Sequence, residues 1–221
     1  MKKIVILFTI LMACANIKAQ PSALMELWKA ADALQIVYCQ QTADKAFLDV
    51  DSNMPVSDRR VESTDLLFGK SISATAEHLK DKGFLYEYSI ENTHKLSGEY
   101  MGHKCDLFFT AINDIVFEYS ILFKQEYSDF QKLKSDFAIF EYALNSIFTE
   151  PTVKGRTAET KYMPLSSAKN DKGITYGNVY NTADGVVFIH PTPFYTLSGL
   201  NEGVKLMIYF LHDGSLQRAL K

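Results

Sequence analysis

Residues 96–124, LSGEYMGHKCDLFFTAINDIVFEYSILFK, alternate apolar and polar side chains in three runs, broken at Met101-Gly102 and at Ile112-Asn113-Asp114. A period of two is the pattern of strands buried on one face, and breaks carrying Gly, Asn and Asp are turns. The stretch therefore reads as three successive antiparallel strands. Parity sets the register, because a slip of one residue moves a whole apolar set to the other face. Pairing Leu96 with Leu107 and Gly98 with Cys105 leaves Met101 and Gly102 as a two-residue turn, with Gly102 supplying a positive φ. Cys105, Leu107, Phe109 and Ala111 share odd parity with Ile115, Phe117, Tyr119, Ile121 and Phe123. An odd-length loop, Ile112-Asn113-Asp114 with Asp114 left-handed, would keep both sets on one face.

Upstream, Phe84, Tyr86, Tyr88 and Ile90 alternate as a further strand that enters the three through Asn92-Thr93, making a four-stranded meander. Before it, a helix from Ile72 to Lys82 is capped by Ser71 or Ser73 and buried through Ile72, Ala76 and Leu79. It ends at Gly83, with Phe84 folding back on the last turn. Downstream, Phe130, Leu133, Phe137, Phe140, Leu144 and Ile147 recur at helical spacing between Ser128 and Pro151, a stripe wide enough to lie across the odd face of the last strand.

The remaining elements are shorter. Residues 152–172 are polar and read as a surface loop. Ile174–Asn181 and Val186–His190 form a hairpin about Asp184-Gly185, and Pro191 and Pro193 end its pairing. Val204–Leu211 is apolar almost throughout, as in a strand buried on both faces. Asp213 then caps a helix from Ser215 to Leu220. Near the N-terminus, Leu24, Leu27, Trp28, Ala31 and Leu34 predict a leading helix from Pro21 to Gln35, and residues 40–66 link it to the rest.

The order is α-α-ββββ-α-βββ-α. It is an α+β chain in which amphipathic helices pack on antiparallel meanders, either as one continuous sheet or as two consecutive helix-plus-sheet units. Residues 20–221 make a single domain, with sub-units at 67–127 and 128–221. A chain of 221 residues with 47% hydrophobic content has ample material for one core.

Residues 1–19 stand apart. Lys2 and Lys3 precede an apolar run from Ile4 to Ala13, the layout of a signal peptide and too short to span a bilayer. Cleavage after Ala19 would release a protein beginning at Gln20. Leu11-Met12-Ala13-Cys14 instead resembles a lipoprotein box, with Cys14 lipidated, although Met12 is atypical there. Both readings place the protein outside the cytoplasm, periplasmic or at the cell surface. Loss of Lys2, Lys3 and Lys18 leaves 20 basic residues against the 26 acidic ones, a net charge of −6. An acidic chain without a basic cluster argues against nucleic acid as a partner.

Cys39 and Cys105 are then an even pair in an oxidising compartment, either joined as a disulfide or buried as free thiols. Asp49, Asp51 and Asn53 alternate like calcium ligands but lack the central glycine and closing glutamate, so they read as a solvated loop. His103 and Cys105 share one strand face at a chelating separation, yet two ligands do not make a zinc site. His190-Pro191 and His212-Asp213 stand at strand ends, where site residues and caps both occur. Familiar catalytic, Walker and dinucleotide motifs are not found, so no catalytic, cofactor or metal residue is assigned. Tyr38, Tyr86, Tyr88, Tyr100, Tyr162, Tyr176 and Tyr180 could line a binding face, but tyrosine also fills half-buried sheet positions.

The run LLFGKSISATAEHLKDKGF followed by LSGEYMGHKCDLFF resembles small exported α+β proteins of Gram-negative gut commensal bacteria, over residues 66–124, departing at Gly69-Lys70 and Tyr100. The resemblance implies export and the α+β layout, and carries over no functional residue. The expected function is a non-enzymatic binding or accessory protein that contacts another envelope protein or a polymer. An inhibitor-like or chaperone-like protein is the alternative, by analogy with helix-and-meander folds, and an unrecognised hydrolase is third.

Overall fold

The computed structural model of the protein describes residues 56–127, 129–156, 176–195 and 201–221. A 3₁₀ turn, Val61–Thr64, precedes helix α1 (Ile72–Asp81) and strands β1 (Leu85–Ile90), β2 (Thr93–Tyr100), β3 (His103–Ile112) and β4 (Ile115–Tyr127). Helix α2 (Phe130–Phe148) leads to β5 (Val153–Arg156), β6 (Tyr176–Thr182), β7 (Gly185–Tyr195) and β8 (Asn201–His212), and α3 (Asp213–Ala219) follows. The leading helix, the acidic loop at Asp49–Asn53, Cys14 and Cys39 lie outside the described residues.

All eight strands form one antiparallel sheet in the order β1-β2-β3-β4-β8-β7-β6-β5. That order is unchanged when each strand of the first meander is exchanged for its counterpart in the second. Two helix-plus-meander units are thus fused edge to edge through β4 and β8 into a continuous sheet.

Three expectations need correction. The second meander has four strands, not three: Val153–Arg156, read as the start of a loop, pairs with β6, Val153 opposite Val179 and Arg156 opposite Tyr176. Four residues containing a glycine carry too little alternation to announce a strand, and the partner holds them in place. Nor do the prolines end pairing, since Pro191 lies opposite Leu206 and Pro193 opposite Val204. The hairpin's closing pair, Thr182 with Gly185, directs the odd residues of β7 towards β6. The missing N–H groups at 191 and 193 fall on that edge, beyond the last β6 partner, Asn178 opposite Ile189.

The third correction concerns the stretch at 96–124. Leu96 faces Leu107 and Gly98 faces Cys105 as expected, about a turn with φ of 51° at Met101 and 76° at Gly102. The next turn, however, has two residues, Asn113 and Asp114, both left-handed, between paired Ile112 and Ile115. Thr110 pairs with Glu118 and Ala111 with Val116, so Phe117 is an extra residue in β4. The parity change expected of the loop is made by this β-bulge, which turns Val116 into the core beside Ala111.

The helices follow their sequence signals. The Ser71 hydroxyl accepts from the Ala74 N–H at 3.2 Å to open α1, and Gly83 at φ 92° ends it. Phe84 folds back, its N–H donating to the Leu79 carbonyl at 2.9 Å. Asp129 caps α2 by accepting from the Gln131 N–H at 2.8 Å. Leu133, Phe137, Phe140, Leu144 and Phe148 of α2, with Leu79 of α1, join one core on a single face of the sheet, where the Phe140 and Phe123 ring centroids are 4.3 Å apart. On the other face Val179, Phe188, Met207 and Tyr209 form a smaller buried cluster. β8 is therefore buried on both faces, as its apolar run predicts. Buried polar groups lie on that second face too. Lys95 stands 3.4 Å from both Glu87 and Asp106, and Glu118 accepts from the Thr110 and Tyr209 hydroxyls at 2.9 and 2.8 Å.

Candidate functional site

Ligand-type side chains converge where β8 ends, beside the β6–β7 turn and the 3₁₀ turn. Among the described residues, one group of three His, Cys, Asp or Glu side chains could hold a metal ion: Glu62, Asp184 and His212, their ligand atoms all within 4.8 Å of one another. His212 Nε2 lies 3.1 Å from Glu62 Oε1 and 3.4 Å from Asp184 Oδ2.

Backbone contacts fix each member. Asp184 sits in the Ala183-Asp184 turn, and its Oδ1 accepts from the Val61 N–H at 2.9 Å and from the Thr182 hydroxyl at 3.3 Å. Its carbonyl accepts from the Asp213 N–H at 2.9 Å. One aspartate thereby ties the 3₁₀ turn, the hairpin and the start of α3 together. Its Oδ2 is buried without a hydrogen-bond donor among the described residues, with Arg60 Nη1 at 3.7 Å. The His212 ring stacks on Phe68, centroids 5.2 Å apart at 17°.

The ring's other nitrogen decides the chemistry. Nδ1 of His212 accepts from the Ser215 N–H at 3.0 Å, so His212, and not Asp213 as expected, caps α3. A nitrogen that accepts an N–H carries no proton, and the neutral ring must hold its proton on Nε2, directed at the Glu62 carboxylate with Asp184 beside it. A cation on Nε2 would move that proton to Nδ1, against the Ser215 N–H. The distances suit a ligand set, but the tautomer suits a proton-bridged latch. Asp213, beside the cluster, has its carboxyl pKa raised by burial, opposed by His212 and reinforced by the charge of Asp184.

The other sequence candidates are dispersed. His103 is exposed and rests against the Phe140 ring, centroids 4.8 Å apart, while Cys105 is fully buried in the core. They join no third ligand among the described residues. Cys105 is a free thiol, pushed up to about 12 first by burial and then by the charge of Asp106. Its suggested partner, Cys39, is outside the described residues.

His190 is not at a strand end but mid-strand, opposite Met207, with Nδ1 donating to the Pro191 carbonyl at 3.0 Å. Its Nε2 has no hydrogen-bond partner among the described residues, and burial pulls the ring down to about 4, partly offset by that carbonyl. Tyr180 is buried against Asn145 of α2, and Tyr86 is about half exposed on β1, bonded through its hydroxyl to His94 Nδ1 at 2.9 Å.

Sequence reasoning identified His212 and missed Glu62 and Asp184. Asp184 reads only as a turn residue and Glu62 as part of a link, and nothing in their spacing joins positions 62, 184 and 212. Comparison with protein-family models, curated proteins and solved structures finds no significant match to this chain.

Proposed function

We propose that the protein is a non-enzymatic binding or accessory protein of the bacterial envelope, which takes an extended segment of a partner protein along the open edge of β1. The carrying observation is that edge. Among the described residues, β1 closes one end of the eight-stranded sheet and pairs only with β2, and Leu85 and Tyr86 are 69% and 49% exposed. In the β1–β2 hairpin Ile90 pairs with Thr93 across a two-residue turn. The next residue back, Ser89, therefore directs its N–H and C=O away from β2, where an added strand would bond.

A register shift between Tyr86 and Tyr88, next to Glu87, disrupts the edge. Such devices discourage indiscriminate strand addition and confine pairing to a short segment, as a selective site requires. The signal-peptide pattern of residues 1–19 supports export, and the latch at His212, whose Nε2 faces carboxylates, supports a structural role for the best histidine cluster. A chaperone-like protein would use the same contact on an unfolded client.

The test is capture from native envelope by mild crosslinking, with the protein as bait. Ser89→Pro removes the outward N–H while leaving the β1–β2 ladder intact. Loss of a captured partner with Ser89→Pro, at unchanged thermal stability, supports the reading. Capture unaffected by Ser89→Pro, or no partner at all, overturns it.

A further inference from the structure

Helix α2 has two stripes of different character. Leu133, Phe137, Phe140, Leu144 and Phe148 are buried against the sheet. On the outward side Lys132, Ser135, Ile139, Tyr142, Ser146 and Thr149 are all exposed and recur at intervals of 3, 4, 3, 4 and 3 residues. That is the spacing of a helix–helix seam, and an ordinary solvated face would carry charges along it. From Ser135 to Ser146 this stripe carries none. Its two large residues, Ile139 and Tyr142, are 56% and 80% exposed.

The stripe is arranged symmetrically about its own middle. A two-fold axis passing beside Phe140 and Glu141 sets Ile139 against Tyr142 and Ser135 against Ser146 of a second, antiparallel helix of the same sequence. The charges lie only at the ends and are opposite: Lys132 at the N-terminal end and Glu150, 77% exposed, just past the C-terminal end. Antiparallel pairing brings Lys132 of each copy to Glu150 of the other, twice, whereas parallel pairing would set lysine against lysine. Glu150 already contacts Lys154 at 2.7 Å, but an exposed pair of this kind is weak and leaves it available.

From this complementarity we propose that the outward face of α2 is a homodimer contact, occupied by the α2 of a second copy of this chain, antiparallel about a two-fold axis. An isologous interface needs one self-complementary patch, and the stripe has that form: large residues at the centre, small ones beside them, opposite charges at the ends. A single helix pair lies at the lower end of stable interface size, so the dimer dissociates in the range of about micromolar. The surface is separate from the β1 edge, and the proposal does not rest on the function given above.

Analytical ultracentrifugation of the purified protein across a concentration series tests it. The expected result is reversible doubling of mass with rising concentration. Tyr142→Glu or Ile139→Glu should leave a monomer at every concentration, with circular dichroism unchanged and a melting temperature equal to that of the wild type at dilutions where the wild type is monomeric, because both side chains are exposed. Lys132→Glu and Glu150→Lys should each weaken the dimer about tenfold, and the double reversal should restore it, since the pair is exchanged across the axis. A monomer throughout, a dimer indifferent to Tyr142→Glu, or a different protein captured through Tyr142 by a chain that stays monomeric would each overturn the proposal.

Discussion

The Ser215 N–H donates to Nδ1 of His212 at 3.0 Å, which fixes the ring proton on Nε2, facing Glu62 and Asp184. One imidazole therefore caps α3 and closes a contact spanning the 3₁₀ turn, the β6–β7 hairpin and the end of β8. His212→Ala should cost about 1 kcal/mol for the cap alone. His212→Asn, which retains an accepting side chain, should cost less. Urea denaturation measures both, and equal losses would show that the cap contributes nothing. Added zinc should leave the melting temperature of the wild-type protein unchanged; a rise that disappears in His212→Ala would replace the proton by a metal.

His190 makes stability depend on pH in a definite direction. The unfolded chain takes up a proton at about 6.5, whereas the buried native ring does so only at about 4. Its contribution is therefore fully present above pH 6.5 and falls by about 1.4 kcal/mol per unit as pH drops towards 4, ~3 kcal/mol in all. His190→Leu should flatten denaturation midpoints between pH 6.5 and 5, before most carboxylates titrate. An identical slope in that variant would assign the effect elsewhere.

Gly98 gives up its side chain to Phe84. A Cβ on Gly98 would lie 2.5 Å from Phe84 Cδ1, where the ring folds back from the end of α1. Gly98→Ala should destabilise by ~1–3 kcal/mol through overpacking. Phe84→Leu in the same background should recover part of the loss, and a double-mutant cycle with no coupling would refute the contact.

Cys105 is fully buried, with its thiol pushed up to about 12. A thiol-specific reagent at neutral pH should leave it untouched in the native protein and modify it after denaturation without reductant. If reductant is needed after denaturation, Cys105 is bonded in the purified protein.

The meander at 96–124 was legible because its alternation is strict: Leu96 opposite Leu107 and Gly98 opposite Cys105 follow from it, and so does the shared face of Cys105, Leu107 and Phe109 with Tyr119, Ile121 and Phe123. The sequence did not reveal how that parity is kept. A three-residue loop would set Leu107 opposite Tyr119, whereas the two-residue turn with a bulge at Phe117 sets it opposite Ile121, and cross-strand bonding selected the second. β5 was hidden for a related reason, since Lys154 is exposed and four residues carry no period of their own. The candidate site was legible only at His212, because Glu62 and Asp184 come from a link and a turn whose residue types have commoner explanations.

The sequence by itself determined the α+β class, the two amphipathic helices, and the register of the β2–β3 hairpin. All of these rest on local periodicity and on residues whose backbone preferences are intrinsic. Tertiary structure decided what depends on distant segments meeting: the fusion of two meanders through β4 and β8, the continuation of β7 past its prolines, and the meeting of Glu62, Asp184 and His212. It also decided the tautomer of His212, because the N–H that selects it belongs to the first turn of a helix the ring itself caps. Pairing between segments far apart in the chain leaves no periodic trace in either, which is why these features emerge only in the folded molecule.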